Sequence, residues 1–434
     1  MRGKADRAVC IGVVVMMAAL GVSACGESKS GGAGGDGDFA LKVGSLVPLT
    51  GSLASFGPPG RKAADLAVQV GEDALKKAGL KATFAVEHAD TQGDPQAAIQ
   101  AARKLVAGGA SCLDGAYTSA ETIAVGNAVA VPQRVPLIAP SASAPVLSGL
   151  EDDDFVWRTS ASDALGAVAL AKLVERDLGA PAKTTVALAA RDDAYGQGFI
   201  EQFKTAWEQR GGSTTGPVLY DPNQASFNSE AARIVSGKPD AFVIIDFPET
   251  YAKMGAALAR TGQFSPDRLF SNNGLGPVAE GEKAPAGIPP ATVAGARGHR
   301  PWTPAGGAAV KAFDELYRNA GGPPRHTYDA QSFDSSILCL LAAVAAGSND
   351  GSAIKGKLRD VSGPPGKKFS YLELPEALRT LHAGQDIDYE GVSGPIDFDK
   401  RGDPTVATFQ VWKYDQAGRL RITGEIQGAA GKTR

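Results

Sequence analysis

The residue types that usually carry enzymatic chemistry are present in this chain but are not spaced for it. His88, His299, His326 and His382 are scattered, with no H-E-x-x-H pair to hold zinc, and no G-x-S-x-G places a nucleophile on a sharp turn. Asp192 and Asp193 adjoin in RDDAYGQG, whereas a calcium loop needs acidic oxygens at alternating positions. Gly32, Gly34 and Gly37 satisfy G-x-G-x-x-G, yet no strand precedes them and no helix follows, so they form no nucleotide loop. No metal, no cofactor and no catalytic activity is expected. Cys112 in ASCLDG and Cys339 in SSILCLLAA lie far apart in apolar surroundings and read as free buried thiols.

One cysteine does suggest chemistry. Arg2, Lys4 and Arg7 precede an apolar run from Ala8 to Gly21 that ends in Val22-Ser23-Ala24-Cys25. A charged start, a short apolar core and small residues before a cysteine form the pattern of a bacterial lipoprotein signal, cut ahead of a cysteine that becomes diacylated. Residues 1–24 are therefore expected to be removed, leaving Cys25 as the lipidated end, anchored at the outer face of the cell membrane; cleavage after Ala24 by an ordinary secretory route is the alternative reading. Acyl burial at about 0.8 kcal/mol per CH₂ makes a diacyl anchor firm. Residues 25–39 hold no apolar residue larger than alanine before Phe39 and read as a flexible tether.

The rest of the chain must fold. About 395 residues exceed one hydrophobic core, so two lobes are expected. The formal net charge is −3, and removing residues 1–24 takes three basic groups against one acidic, making it −5. That balance disfavours nucleic acid as a partner. From Leu41 apolar strands alternate with amphipathic helices, the grammar of parallel sheets covered on both faces. Strands are expected at 41–47, 81–88, 111–116 and 136–139, with helices at about 61–78 and from Asp94-Pro95 to Gly108-Gly109. The pattern restarts after Pro181, with strands at 184–190, 218–220, 241–245 and 268–271 and helices at 198–210, 229–236 and 249–261. A Pro/Gly-rich stretch, 274–304, interrupts it; helices follow at 308–320 and 329–346, and last strands near 394–398 and 407–414. Ligands of doubly wound sheets sit at the carboxyl ends of strands, and two such sheets face to face make a cleft.

Several segments in this order carry a family resemblance: VGSLVPLTGSLASFG (43–57), DTQGDPQAAIQAARKLV (90–106), VPLIAPSASAPVLS (135–148), FVWRTSASDALG (155–166), ARDDAYGQG (190–198) and YDPNQASFNSEAARI (220–234). The chain resembles the branched-chain amino-acid (Leu/Ile/Val) binding proteins of ABC transporters. The resemblance implies an α/β type I periplasmic-binding fold: two doubly wound parallel-sheet lobes joined by a three-crossover hinge. Lobe 1 would comprise residues 40–160 plus 295–390, and lobe 2 residues 161–294 plus 391–425. It also implies a small polar ligand, an amino acid or amide, caught by lobe closure, and a membrane permease and ATPase as partners. A sensor of the same fold is the alternative.

Site residues follow from the same resemblance. Ser119 in AYTSAET and Ser143 in PSASAP match the positions that hold a ligand carboxylate, and a helix start carries roughly half a positive charge to help them; each also fits a plain N-cap. Ser141 matches a backbone carbonyl that accepts from the ligand ammonium. Asp163 matches a second-lobe carboxylate, Tyr195 an aromatic that closes over the ligand, and Phe56 a first-lobe aromatic. Where relatives that bind α-amino acids usually place an acid, after the strand at 268–271, this chain has Asn272 and Asn273. Asp246, with Phe247 beside it, stands as the candidate replacement, or as a cap of the next helix. An amide or urea-like ligand fits the missing acid equally well.

Overall fold

The computed structural model describes residues 38–301, 307–405 and 407–428; Cys25 and the leader lie outside the described residues. The first stretch runs β1 (Ala40–Val47), α1 (Gly57–Ala78), β2 (Thr83–Asp90), α2 (Pro95–Ala107), β3 (Cys112–Asp114), α3 (Ser119–Val125), α4 (Val131–Gln133), β4 (Leu137–Ala139) and β5 (Val156–Arg158). The second runs α5 (Asp163–Leu178), β6 (Thr185–Arg191), α6 (Ala194–Glu208), β7 (Ser213–Tyr220), α7 (Asn228–Val235), β8 (Ala241–Ile245), α8 (Pro248–Arg260), β9 (Leu269–Ser271) and β10 (Arg297–Pro301). Then come α9 (Ala308–Asn319), α10 (Asp329–Ala346), α11 (Gly351–Lys355), β11 (Lys367–Phe369), α12 (Leu374–His382), β12 (Ile387–Gly391), β13 (Gly394–Pro395), β14 (Thr408–Tyr414) and β15 (Leu420–Gln427).

These strands form two large sheets and a small one. The first has the order β2-β1-β3-β4-β5 and is parallel throughout. The second begins with the same order, β7-β6-β8-β9-β10, all parallel, and adds β14 and β15 antiparallel at its edge. In each the chain reverses direction beside its first strand, and the crevice outside the carboxyl ends there is where such sheets bind ligands. The small sheet, β11-β12-β13, packs with α10 and α12 in the core cluster of the first sheet.

Local signals explain the elements. Asp94 caps α2, accepting from the backbone N–H of Gln96 (3.0 Å) and Ala97 (2.8 Å), with Pro95 at the first helical position. Gly79 ends α1 in a left-handed conformation (φ 78°) that a Cβ would disfavour. Helix α10 is apolar almost all round and is buried along nearly its whole length, consistent with a core helix.

The structure departs from the expectations at several places. Cys112 and Cys339 are not free thiols: β3 and α10 face each other with these Cα atoms 6.1 Å apart, and the two are disulfide-bonded. Helix α10 packs on the sheet that contains β3, a contact that their distance in sequence hides. Strand β10 joins the second sheet, although residues from 295 were expected in the first lobe. The expected strand at 394–398 shortens to β13, and Ile396 and Phe398 belong to the first-lobe core. Strand β5, helix α5, the run α11, β11, α12 and β12, and strand β15 were not foreseen.

His299, on β10, is fully buried against Phe409 (ring centroids 4.6 Å) and Phe199 (6.2 Å). Burial pulls its pKa down to about 3. A folded pKa below the ordinary value of about 6.5 means that the unfolded chain takes up the proton first, so this contribution is complete above about 6.5 and is lost as pH falls towards 3. His299→Leu is expected to flatten the acid side of the stability profile, the gap from wild type changing by up to about 1.4 kcal/mol per pH unit in that window. Urea unfolding at pH 7, 6 and 5 measures it; parallel curves for the two proteins would contradict it.

Candidate functional site

The carboxyl ends of the first sheet supply one wall of a cleft. Ser119 is the first residue of α3, whose start is fixed by a capping box: Thr118 Oγ1 accepts from Glu121 N (3.1 Å) and Glu121 Oε2 from Thr118 N (2.9 Å). Ser119 Oγ accepts from Ala144 N at 3.1 Å, tying α3 to the loop after β4. In that loop the Ser141 hydroxyl donates to the Tyr117 carbonyl at 2.5 Å. Ser119 and Ser141 both face the cleft, with Phe56 and Leu53 from the segment after β1.

The opposite wall comes from the second sheet. Tyr195, near the start of α6, stacks on Phe247 (centroids 5.1 Å, planes 14° apart), and its hydroxyl donates to Asn272 Oδ1 at 2.7 Å. Asn273 and Gly274 complete this wall; a Cβ at Gly274 would lie 2.2 Å from the Asp246 carbonyl oxygen, so only glycine fits. Tyr328, just before α10, lines the cleft from the returning chain, with a left-handed backbone (φ 80°) rare for a bulky residue. The walls touch: one buried apolar cluster contains Phe56, Tyr117 and Tyr328 together with Tyr195 and Phe247, leaving about 10 Å³ for the centre of a water molecule. Ser55 N donates to Glu249 Oε1 (3.3 Å) across the same seam. Entry of a ligand therefore requires the walls to part.

Three expected site residues lie behind the walls instead of on them. Ser143 donates to Asp163 Oδ2 at 2.8 Å, while its carbonyl accepts from Asp163 N at 2.8 Å. Burial pushes the Asp163 carboxyl up to about 7, opposed by the Ser143 hydrogen bond and Arg158. Asp246 is fully buried; its oxygens accept from Tyr220 Oη (2.9 Å) and Phe247 N (2.8 Å), with Arg191 Nη1 3.9 Å away. Burial raises it to about 7 as well, against the pull of Arg191. Arg191 in turn lies over the Phe247 ring at 4.0 Å and pairs with Asp193 at 2.6 Å. This group fixes the Phe247 wall from behind.

A larger cavity of about 440 Å³ adjoins the cleft at Tyr328, between β10, α9 and β15. Its two arginines are bound internally: Arg325 pairs with Asp314 and Asp329, and Arg300 with Gln410 and the carbonyls of Gly276 and Val278. It is not at the carboxyl ends of the first sheet, so volume alone does not make it the site. Among the described residues no cluster of His, Cys, Asp and Glu could hold a metal ion, and no helix is long and apolar enough to cross a membrane.

A family model described as periplasmic binding protein matches residues 40–419. The chain belongs to the periplasmic binding protein family. It is 26% identical over 387 residues to the chemotactic signal transduction system substrate-binding protein BasB of Halobacterium salinarum, covering 87% of this chain and 88% of that one. It is 25% identical over 417 residues to Leu/Ile/Val-binding protein homolog 2 of Brucella abortus, covering 92% and 96%. Among solved structures, the leucine binding protein LivK of Thermotoga maritima aligns with a TM-score of 0.69 at 20% identity, over 89% of this chain and 98% of that one. A Rhodopseudomonas palustris (R. palustris) solute binding protein in complex with 4-hydroxybenzoate gives 0.69 at 18%, over 91% and 99%. The fold is the α/β type I periplasmic-binding fold.

In this periplasmic binding protein Phe56, Ser119, Ser141, Tyr195, Phe247 and Asn273 come together at the cleft, while Ser143, Asp163 and Asp246 support it. Tyr117, Tyr328 and Gly274 were missed. Tyr328 carried one faint signal, an aromatic directly before a helix start, but only the chain's return to the hinge region places it beside Phe56 (centroids 6.3 Å).

Proposed function

We propose that this periplasmic binding protein is the extracytoplasmic solute-binding lipoprotein of an ABC importer, catching a small polar ligand between two lobes and presenting it to a membrane permease and its ATPase. One lobe is the first sheet with α9–α12 and the small sheet; the other is the second sheet with α5–α8. The observation that carries this reading is the cleft where Ser119 and Ser141 face Tyr195 and Phe247 across the ends of two matching sheets. The Ser119 hydroxyl takes an oxygen of the ligand, an amino acid or a related amide or acid, and the stacked aromatic pair closes over it. The similarity to BasB favours a second reading, a receptor that reports occupancy to a signalling partner.

A thermal-shift screen of the mature chain against amino acids, amides, urea and small organic acids tests the binding reading, since a ligand at 100 times its Kd adds about 2.7 kcal/mol. No shift with any of them would refute it. Ser119→Ala is expected to weaken the ligand found at least tenfold, the loss of about 1.5–3 kcal/mol for a hydrogen bond to a charged group; calorimetry with less than a twofold change would remove Ser119 from the seat. For the anchor, Cys25→Ser is expected to leave the protein unprocessed or free of the membrane, and an unmodified Cys25 terminus by mass spectrometry in the native host would contradict lipidation.

A further inference from the structure

We propose that the cleft selects a carboxylate with a flat or compact apolar body and no ammonium group, and that the Tyr328 hydroxyl is one of the donors to it. This rests on the cleft being the solute seat, and names the class of solute. An ammonium moved into a dry cleft needs a carboxylate or several carbonyls to replace its water. Among the described residues that line the cleft no Asp, Glu, Lys or Arg occurs. None of the acids nearby lines the cleft: Asp163 receives Ser143, Asp246 receives both Tyr220 and the Phe247 amide, and Glu249 receives Ser55 N at Oε1 while its Oε2 has no partner among the described residues. Arg191 stands between Phe247, Asp193 and Asp246 and offsets their charge at that wall.

What the lining offers is hydroxyl hydrogens. Ser119 Oγ already accepts from Ala144 N, which leaves its hydrogen to donate, whereas the Thr118 hydroxyl is held by Glu121. Tyr328 Oη is buried and meets no hydrogen-bond partner among the described residues, an unmade bond that a native fold rarely tolerates without purpose. Its backbone is held in the left-handed region, and such strain in a non-glycine residue clusters at ligand clamps. Two neutral donors suit the two carboxylate oxygens, and with no carboxylate in the lining they bring no counter-charge to an ammonium. Around them Phe56, Tyr195 and Phe247 present ring faces and edges to an apolar body.

Matched probes that differ only in the amine decide the matter: 3-phenylpropionate against L-phenylalanine, and 4-methylpentanoate against L-leucine, each titrated calorimetrically into the mature chain. The expected result is that at least one amine-free acid binds tenfold or more tighter than its amino acid. Tyr328→Phe, which keeps the ring and removes only an unpartnered hydroxyl, is expected to fold with an unchanged melting temperature and to lose tenfold in affinity for that acid. Failure of both amine-free acids to bind tenfold tighter than their amino acids, while an amino acid binds, overturns the proposal and leaves solute binding intact. No heat from either acid overturns it too, and whether solute binding also fails is then read from the wider thermal-shift screen. Unchanged affinity in Tyr328→Phe removes Tyr328 from the seat.

Discussion

Asp403→Ala is expected to lower the stability of the protein by about 3–5 kcal/mol, the usual cost of stranding a buried charge. Arg158 closes β5 with a guanidinium only 2% exposed, and Asp403 grips it by two bonds, Nε to Oδ1 at 2.5 Å and Nη2 to Oδ2 at 2.8 Å. The remaining donors reach the Ala144 carbonyl (3.0 Å) and Ser148 Oγ (2.7 Å) in the loop that carries Ser141 and Ser143. One carboxylate from the late chain, between β13 and β14, thus pins the loop that forms the serine wall of the cleft. With it gone, the arginine keeps only the Asp163 carboxyl, which makes no hydrogen bond to it, as a counter-charge, and has little water. Urea unfolding measures the loss; a change below about 1 kcal/mol would show that solvent reaches Arg158. The double variant Arg158→Met/Asp403→Leu is expected to recover most of the stability, because a buried ion pair replaced by packed apolar groups is often neutral.

The second large effect is expected from the disulfide. Cys112 and Cys339 join residues 227 positions apart, and closing so long a loop restricts the unfolded chain far more than the folded one. The Cys112→Ala/Cys339→Ala pair is expected to lose about 2–5 kcal/mol, and reductant is expected to lower the wild-type melting temperature while leaving the double variant unmoved. Equal melting temperatures with and without reductant would contradict the bond. Oxidation is in keeping with an extracytoplasmic setting.

The alternation of apolar strands and amphipathic helices made the fold class legible, because strands buried on both faces read as apolar runs. Ala241–Ile245 and Asp329–Ala346 lie where the sequence places them, one an unbroken apolar strand and the other an apolar helix ended by Gly347. Strand β10 was illegible for the opposite reason. RGHRP carries three basic or titratable side chains and becomes a strand only because β9 and β14 flank it. Helix α5 hides in a run too apolar to show a face, since it is covered by α6 and the second sheet. At the cleft, the family resemblance pointed to Ser119, Ser141 and Tyr195. All are buried, and what sets Ser143, Asp163 and Asp246 behind the walls is their partners, Asp163, Ser143 and Tyr220, from other elements. Local sequence cannot say whether a polar side chain at a strand end faces the cleft or the residue behind it.

A crystal structure of the mature chain grown with the tightest ligand from the screen tests the central claim most directly. The account predicts the ligand between the two sheets, its oxygens within 3.2 Å or less of hydroxyls from Ser119 or Tyr328 and its body against Tyr195 and Phe247. A ligand seated instead in the larger cavity beside Arg300 and Arg325, with Ser119 and Tyr195 untouched, would contradict it.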